Sequence, residues 1–523
     1  MGRQLLAATL FAISGSAPAQ ADFNCIPPPA PVLNNPVVLG NGTAGSVTGA
    51  QLQAALNVGG DIRLNVGNSE IVLTQQLNVT RATTLDGNGA FLDGNSLVRV
   101  IEFSNPQGVE YTFNLINITL INGNSQTAAG DEFARSGGAL LNNHGNEPWR
   151  AVRLRLFNSR VAASTAIQSA QDGGGGGIYV VGLKELTLVD SIVEKNSGSN
   201  GGGIYSLGSE TINLFDTYVA DNDANGSGGN PGLGGNAGGI GIDGATRNVN
   251  LCRVQLSGNR ANAYGGGLFT TVYDLSSFTH IRDSTIAFNN SAGSSNAHTG
   301  GVYLQGGPFL IRGSTFRENQ ASGFGGLALF DHQTGSGLIS TQGTIINSTF
   351  VGNLARTGLG GAMNISATGP ILLQNLTIAN NRAECSVCFA GGIQNSPGLD
   401  ITLRNSILHN NTGGNAFNPW NIRNPVSGSK NLQFPQVRPG SGGQMELPAT
   451  PDTVFADALL GAVADNGGRT ETMALLPSSP GIDTGTGTGA LNRDQRARQR
   501  FGSVDIGAFE RQPDEPLLRD GYE

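Results

Sequence analysis

Short blocks of alternating apolar and polar residues recur through the middle of the chain. Each ends in a small polar residue, is followed by a polar loop, and is resumed by a glycine pair. LTLVDSIVEKN, INLFDTYVADN, THIRDSTIAFN, FLIRGSTFREN and GTIINSTFVGN show the pattern. The ending positions are Asn124, Ser164, Asn196, Asn222, Asn259, Asn289, Asn319, Asn353, Asn381 and Asn411. Eight residues before each stands a Leu or Ile, from Ile116, Leu156 and Leu188 to Leu373 and Leu403. Three before each stands a large apolar residue, from Ile121 and Val161 to Ile378 and Leu408. Positions −10, −8, −5 and −3 therefore face inward. Period two predicts β-strand, with one extra residue between −8 and −5 marking a bend. Asp or Asn at −6, as in Asp190, Asp216, Asp283, Asn347, Asn375 and Asn405, suits the left-handed backbone of a bend.

Like residues at like positions predict a stack of similar coils, each zipped to the next. The expected class is all-β, a right-handed parallel β-helix with capped ends. An α-helical solenoid would lack the period of two and the glycine corners. Asn196, Asn222, Asn259, Asn289, Asn319, Asn353, Asn381 and Asn411 are expected to form a ladder of amides. Glycine pairs such as Gly202-Gly203 and Gly266-Gly267 allow sharp corners between closely spaced coils. The longest insertions, 126–136, 223–237 and 290–299, fall between the ending residue and the glycine pair, so the loops should crowd one edge. Ten coils at roughly 4.8 Å each make a rod of about 45 Å. Gln51–Leu56 is expected as a short capping helix, because an open end would expose unpaired main chain.

The two ends read differently. Arg3, the apolar run Leu5–Ile13 and Ala19-Gln20-Ala21 have the form of a secretory signal cut between Ala21 and Asp22. That run is too short to span a bilayer, and no later stretch is long and apolar enough to do so. The expected organisation is signal peptide 1–21, linker 22–44, β-helix with its N-terminal cap 45–435, a C-terminal cap region 436–510 and a flexible tail 511–523. Six prolines from Pro419 to Pro451 mark where the repeat loosens.

Composition narrows the partners. Gly is abundant, 79 of 523 residues, without a collagen triplet. The net charge of −8, with only Lys184, Lys195 and Lys430 as lysines, argues against nucleic acid. Export permits disulfides. Cys385 and Cys388 have the spacing of a local staple; a redox motif or a metal site lacks the surrounding pattern. Whether Cys25 and Cys252 pair is left open. No cofactor is implied.

Three resemblances add to this. The asparagine-ending blocks alternating with GGAL, GGGIY, GGGLF and GGAM, with Phe316-Arg-Glu-Asn319 and Phe350-Val-Gly-Asn353 as full matches, resemble the repeats of polymorphic outer-membrane proteins. Asp465–Gly485, then Asp494-Gln-Arg496, then Asp505–Glu510 resemble the C-terminal signature of choice-of-anchor Q β-helix proteins. That resemblance implies export and surface association but no general activity. Leu517–Glu523 is similar to short DGFE-type tails of secreted proteobacterial proteins, while the β-barrel that lets autotransporters cross the outer membrane has no counterpart here.

Pectin-lyase-like solenoids include polysaccharide lyases and hydrolases, but fold alone assigns neither. The NTD, DD, GHG and RIK motifs of polygalacturonases do not occur. Arg282, Arg312 and Arg404 share one column, read either as a basic stripe for an acidic polysaccharide or as solvated outward positions. Asp190, Asp216 and Asp283 read as bend residues before they read as a carboxylate row. Of the five histidines, His144 and His298 lie in variable loops. The sequons at Asn117, Asn347, Asn364 and Asn375 follow from the columns themselves. The expectation is an extracytoplasmic, adhesin-like scaffold that binds polysaccharide or a surface partner through its loop edge. The alternative is a polysaccharide lyase or glycoside hydrolase acting on an acidic polysaccharide.

Overall fold

The structure is a computed structural model and describes residues 23–142, 150–229, 231–273, 276–291 and 298–513. The expected cleavage pair Ala21 and Asp22 lies outside the described residues, as does the tail beyond 513. Nearly all regular structure is parallel β-sheet, wound as a right-handed parallel β-helix. One coil shows the plan. Glu185–Val189 and Ile192–Glu194 lie on a first face, Ser197–Gly198 on a second and Ile204–Leu207 on a third. Each strand pairs in register with its equivalent one coil on, as Leu188 does with Leu214. Between the second and third faces run the long loops. Among the described residues no helix is long and apolar enough to cross a membrane.

Two columns of left-handed residues bend the first face. Asn158, Asp190, Asp216, Arg253, Asp283, Gly313, Asn347, Asn375 and Asn405 all have φ between 45° and 63°. A second column precedes the ladder: Ala163, Lys195, Asp221, Gly258, Phe288, Glu318, Gly352, Asn380 and Asn410, with φ between 51° and 67°. Two residues before the first bend the Leu/Ile column, from Leu156 and Leu188 to Leu373 and Leu403, points inward and is at most 1% exposed. Burial of each such side chain contributes roughly 1.5–3 kcal/mol.

The asparagines close the corner. Each Nδ2 donates to Oδ1 of the next, Asn196 to Asn222 at 3.0 Å and onward at 2.9 Å through Asn259, Asn289, Asn319, Asn353, Asn381 and Asn411. The second Nδ2 proton goes to a carbonyl of the preceding coil, as Asn319 gives to Ile286. Oδ1 also accepts the main-chain N–H of the preceding asparagine, as Asn319 does from Asn289. A parallel serine ladder runs beside it, with Ser284 Oγ accepting from Val254 N and Ser314 Oγ from Ser284 N.

The sequence register is off by one in the first of the ten blocks. Leu115, not Ile116, pairs with Leu156, and Leu120, not Ile121, pairs with Val161. Gly123 takes the ladder position and donates to Ser164 Oγ, while Asn124 turns outward to Ser96 O. The cause is steric: a Cβ at Gly123 would collide with the Gly138 carbonyl, so no asparagine fits there.

Both ends are plugged. Helix Gly49–Val58, opened by a Thr48–Gln51 capping box, buries Leu52 and Leu56 over the first coil. Strand Val37–Leu39 already pairs with Ile62–Leu64, so the stack begins within the stretch expected to be linker. At the other end Glu446 accepts from Trp420 N and Asn421 N and pairs with the buried Arg438 at 3.3 Å. Parallel pairing continues to Val454–Phe455.

The chain ends then run along the outside of the first face. Phe23, Cys25 and Leu33 cover an outward row of Ile116, Phe157, Val189, Phe215 and Cys252. This strap is held by a Cys25–Cys252 disulfide and by Arg253 and Arg282 donating to the carbonyls of Cys25 and Phe23. From the opposite end, residues 465–511 cover the lower part of the same face rather than the end of the stack. Thr470 donates to Gly313 O, Gln495 bonds Thr315 and Thr349, Arg500 bonds Asn347, and Asn375 reaches the carbonyls of Asp505 and Gly507. The Asp494–Arg496 and Arg500–Glu510 pairs inside this clasp are almost fully buried. Arg511, expected in the tail, still belongs to it through Asp505 Oδ2 and Leu475 O.

Two outcomes follow. Asn319→Ala should lower stability by about 3 kcal/mol or more, because it strands buried partners on both neighbouring coils. Asn124→Ala, outside the ladder, should cost less than about 1 kcal/mol; denaturant midpoints compare the two. Burial, with Glu510 and Asp483 nearby, raises the Asp505 carboxyl from 3.8 to about 7. A raised acid favours the fold below pH 3.8, and that contribution is lost as pH climbs to about 7. Proteolysis of the C-terminal clasp should therefore be slower at pH 5 than at pH 8.

Candidate functional site

With much of the first face covered by the strap and the clasp, the third face carries the side chains that form a recess. Its strands present two outward rows. One runs Leu141, Tyr179, Tyr205, Gly241, Phe269 and Tyr303; the other runs Val181, Leu207, Asp243, Thr271 and Gln305. Tyr179 and Tyr205 lie with ring centroids 6.1 Å apart and are fully buried beneath the loops. Gly241 continues their row because a Cβ there would collide with the Tyr205 ring. The row needs glycine for close approach at this point.

Where the third face turns toward the first, a cleft of about 680 Å³ opens, lined by Arg150, Gln171, Asp172, Leu207, Gly208, Asp243, Gly244, Ala245 and Tyr273. Loop residues Gln171 and Asp172 form one wall. Strands Ile204–Leu207 and Ile240–Gly244 supply Leu207 and Asp243. Tyr273 follows strand Leu268–Val272 and is 47% exposed. Its ring meets His332 edge-on at 4.5 Å, and His332 Nδ1 lies 2.7 Å from Val272 O. Arg150 donates to Gly208 O at 3.4 Å and to Ala245 O at 2.5 Å, which fixes the turn between the two faces.

The cleft is acidic and partly dry. Burial raises the Asp172 carboxyl above its ordinary range, and a hydrogen bond from Gln171 offsets part of this. Burial also raises the Tyr273 phenol, with Asp243 and Asp172 adding to the effect. The Tyr205 hydroxyl lies 3.5 Å from Asp243 Oδ2. Two carboxylates, a half-exposed ring and a guanidinium thus share one concave surface, a lining suited to a polar ligand with an apolar face.

A second groove of about 430 Å³ crosses the bend of the first face, among Asn68, Asn88, Asn117, Asn158, Asp190 and Arg160. Its side chains already serve the fold. Asn158 donates to Asn117 at 2.7 Å, Asn117 to Asp86 at 3.3 Å, and Arg160 to Glu194 at 2.7 Å.

The residues singled out in the sequence lie elsewhere. Arg282 and Arg312 are neighbours, but Ile346 and Gln374 separate them from Arg404, and the strap and clasp meet this column. It is therefore no open basic stripe. Asp190, Asp216 and Asp283 form no carboxylate row, because Arg253 stands between the last two and grips Asp216 through both oxygens. Cys385 and Cys388 are disulfide-bonded in a loop against Ala355 and Ala383. His298 stacks on Tyr264 at 4.7 Å, away from the cleft, and His144 lies outside the described residues. Among the described residues, no three His, Cys, Asp or Glu side chains gather as metal ligands would. Asp172, Asp243, Tyr273 and Arg150 escaped the sequence reading. The available signal was an acid at Asp243 in a row otherwise holding Val181, Leu207, Thr271 and Gln305.

No family model matches the sequence, and no curated protein matches it. Among solved structures, the chain is similar to two mannuronan C-5 epimerase A-modules of Azotobacter vinelandii. The AlgE4 module aligns with TM-score 0.32 and 13% identity over 80% of this chain and 98% of its own. The AlgE6 module aligns with TM-score 0.35 and 14% identity over 76% and 97%. Pectate lyase Pel9A aligns with TM-score 0.33 and 12% identity over 91% and 96%. Likeness at this level does not reach the chemistry of any site.

Arg150→Ala should loosen the cleft without unfolding the stack. Hydrogen exchange should rise in the turn around Ala245, while the global denaturant midpoint moves by less than about 1 kcal/mol.

Proposed function

We propose that this chain is an exported, surface-associated β-helix scaffold that binds a glycan in the third-face cleft. The observation that supports this is the half-exposed Tyr273 ring set beside Asp172 and Asp243 in one recess. A pyranose ring offers an apolar face to the phenol and hydroxyls to the carboxylates, which accept hydrogen bonds. The signal-like N-terminus and the resemblance of the C-terminal segment to anchor-type proteins favour a position outside the cytoplasm. The stack serves as a rigid mount, and the loop carrying Asp172 adapts the recess.

A second reading draws on the same two carboxylates. In a glycoside hydrolase a carboxyl held protonated by burial gives its proton to the leaving oxygen, and a second carboxylate acts as base or nucleophile. Asp172, raised by burial, fits the acid, and Asp243 the partner. The lyase form of this reading would need a base beside the sugar C5 proton. Arg150 is the nearest cation in the lining, and it is turned to main-chain carbonyls.

The deciding experiment is a glycan array run on the secreted chain and on Tyr273→Ala, beside assays for new reducing ends and for unsaturated uronate. Binding that falls about tenfold or more in Tyr273→Ala, with no product, is expected. Product that disappears in Asp172→Asn would replace binding by hydrolysis. Unsaturated uronate from a polyuronate would replace it by lyase action.

A further inference from the structure

The charge around the cleft distinguishes between kinds of glycan. Asp172, Glu132, Asp131 and Asp243 all act on the Tyr179 hydroxyl at this part of the third face, and Asp172 and Asp243 act on Tyr273 as well. Against these carboxylates the described residues of the lining hold one guanidinium, that of Arg150, bonded to the Gly208 and Ala245 carbonyls. The chain as a whole is acidic, −8, and poor in lysine. A polyuronate brings a carboxylate on each sugar and meets like charge in a partly desolvated recess, where repulsion is poorly screened. An ammonium group meets opposite charge, and the face of a phenol attracts it too.

We propose, resting on the glycan-binding reading above, that the cleft takes an amine-bearing glycan: hexosamine units whose amino groups are free rather than acetylated. The ammonium sits against Asp172 and Asp243, and the sugar ring lies on Tyr273. Acetylation removes the positive charge and adds bulk on the same atom, so it abolishes the ion pairs while leaving the rest of the sugar intact. The preference is therefore electrostatic and weakens with salt.

The test is calorimetric titration of the secreted chain with three probes: glucosamine oligosaccharides, the same oligosaccharides N-acetylated, and oligogalacturonate. The glucosamine form should bind at least about tenfold more tightly than the acetylated form at low salt, and oligogalacturonate most weakly. Asp172→Asn should remove most of that preference, because affinity for the free-amine probe falls far more than affinity for the acetylated one. The wild-type comparison and its salt dependence stand even where the variant folds poorly. Equal binding of the acetylated and free amines, or a preference for oligogalacturonate, overturns the proposal. If binding shows no amine preference but is still lost in Tyr273→Ala, the proposal falls and the glycan-binding reading stands. If no glycan binds at all, both fall.

Discussion

A buried asparagine has four hydrogen bonds to place, and the stack depends on how these are placed. Each amide in the ladder is satisfied only when the coils on both sides are in register, because its partners belong to its neighbours. A slip by one residue would leave every amide in the column unpaired in a dry interior, at a cost of several kcal/mol per coil. Apolar stacking alone leaves a slip of two residues open, because it returns Leu, Ile and Val to the same face, where they exchange at small cost. The ladder therefore converts a sticky pile of strands into a single arrangement. The left-handed residue before each asparagine aims the amide at the corner.

Once the register is set, the outside of the prism is free to differ from coil to coil, and the three faces are used unequally. The first is covered by the chain's own ends, the N-terminal strap over its apolar row and the C-terminal clasp over its lower strands. The second carries only short strands. The third keeps an aromatic row under its loops and opens at the turn to the first face. The recess exists because Arg150 ties the turns at Gly208 and Ala245, and because glycine at 244 lets the Gly208 main chain come close.

What the sequence made legible follows from this division. Inward positions obey one rule in every coil, so the Leu/Ile column and the asparagines stand out without any structure. The rule misled at Gly123, where a steric limit removed the asparagine and an unrelated Asn124 stood beside it. The second bend column was invisible, because Ala163, Lys195, Phe288 and Glu318 share a backbone conformation and no side-chain chemistry. The recess was invisible for a related reason. Its residues come from a loop, two strands and two turns, far apart in the chain, and no column holds them. The cover over the arginine column was likewise hidden, since only the fold brings Phe23 beside Arg282. The attachment of the segment from Asp465 to Glu510 along the side of the stack was hidden too, since its partners Gly313, Thr349 and Asn375 lie more than a hundred residues away in the chain.

The bond between Cys25 and Cys252 joins positions 227 residues apart. A stack of this kind is weakest in tension at its terminal coil, which can be peeled away one strand at a time. Here a pull on the N-terminus is delivered past the first coils and into strand Asn248–Cys252, in mid-stack. The load meets a strand paired on both sides, so several ladders must shear together rather than unzip in turn. A molecule held by one end against flow would keep its upper coils slack while its middle carries the force.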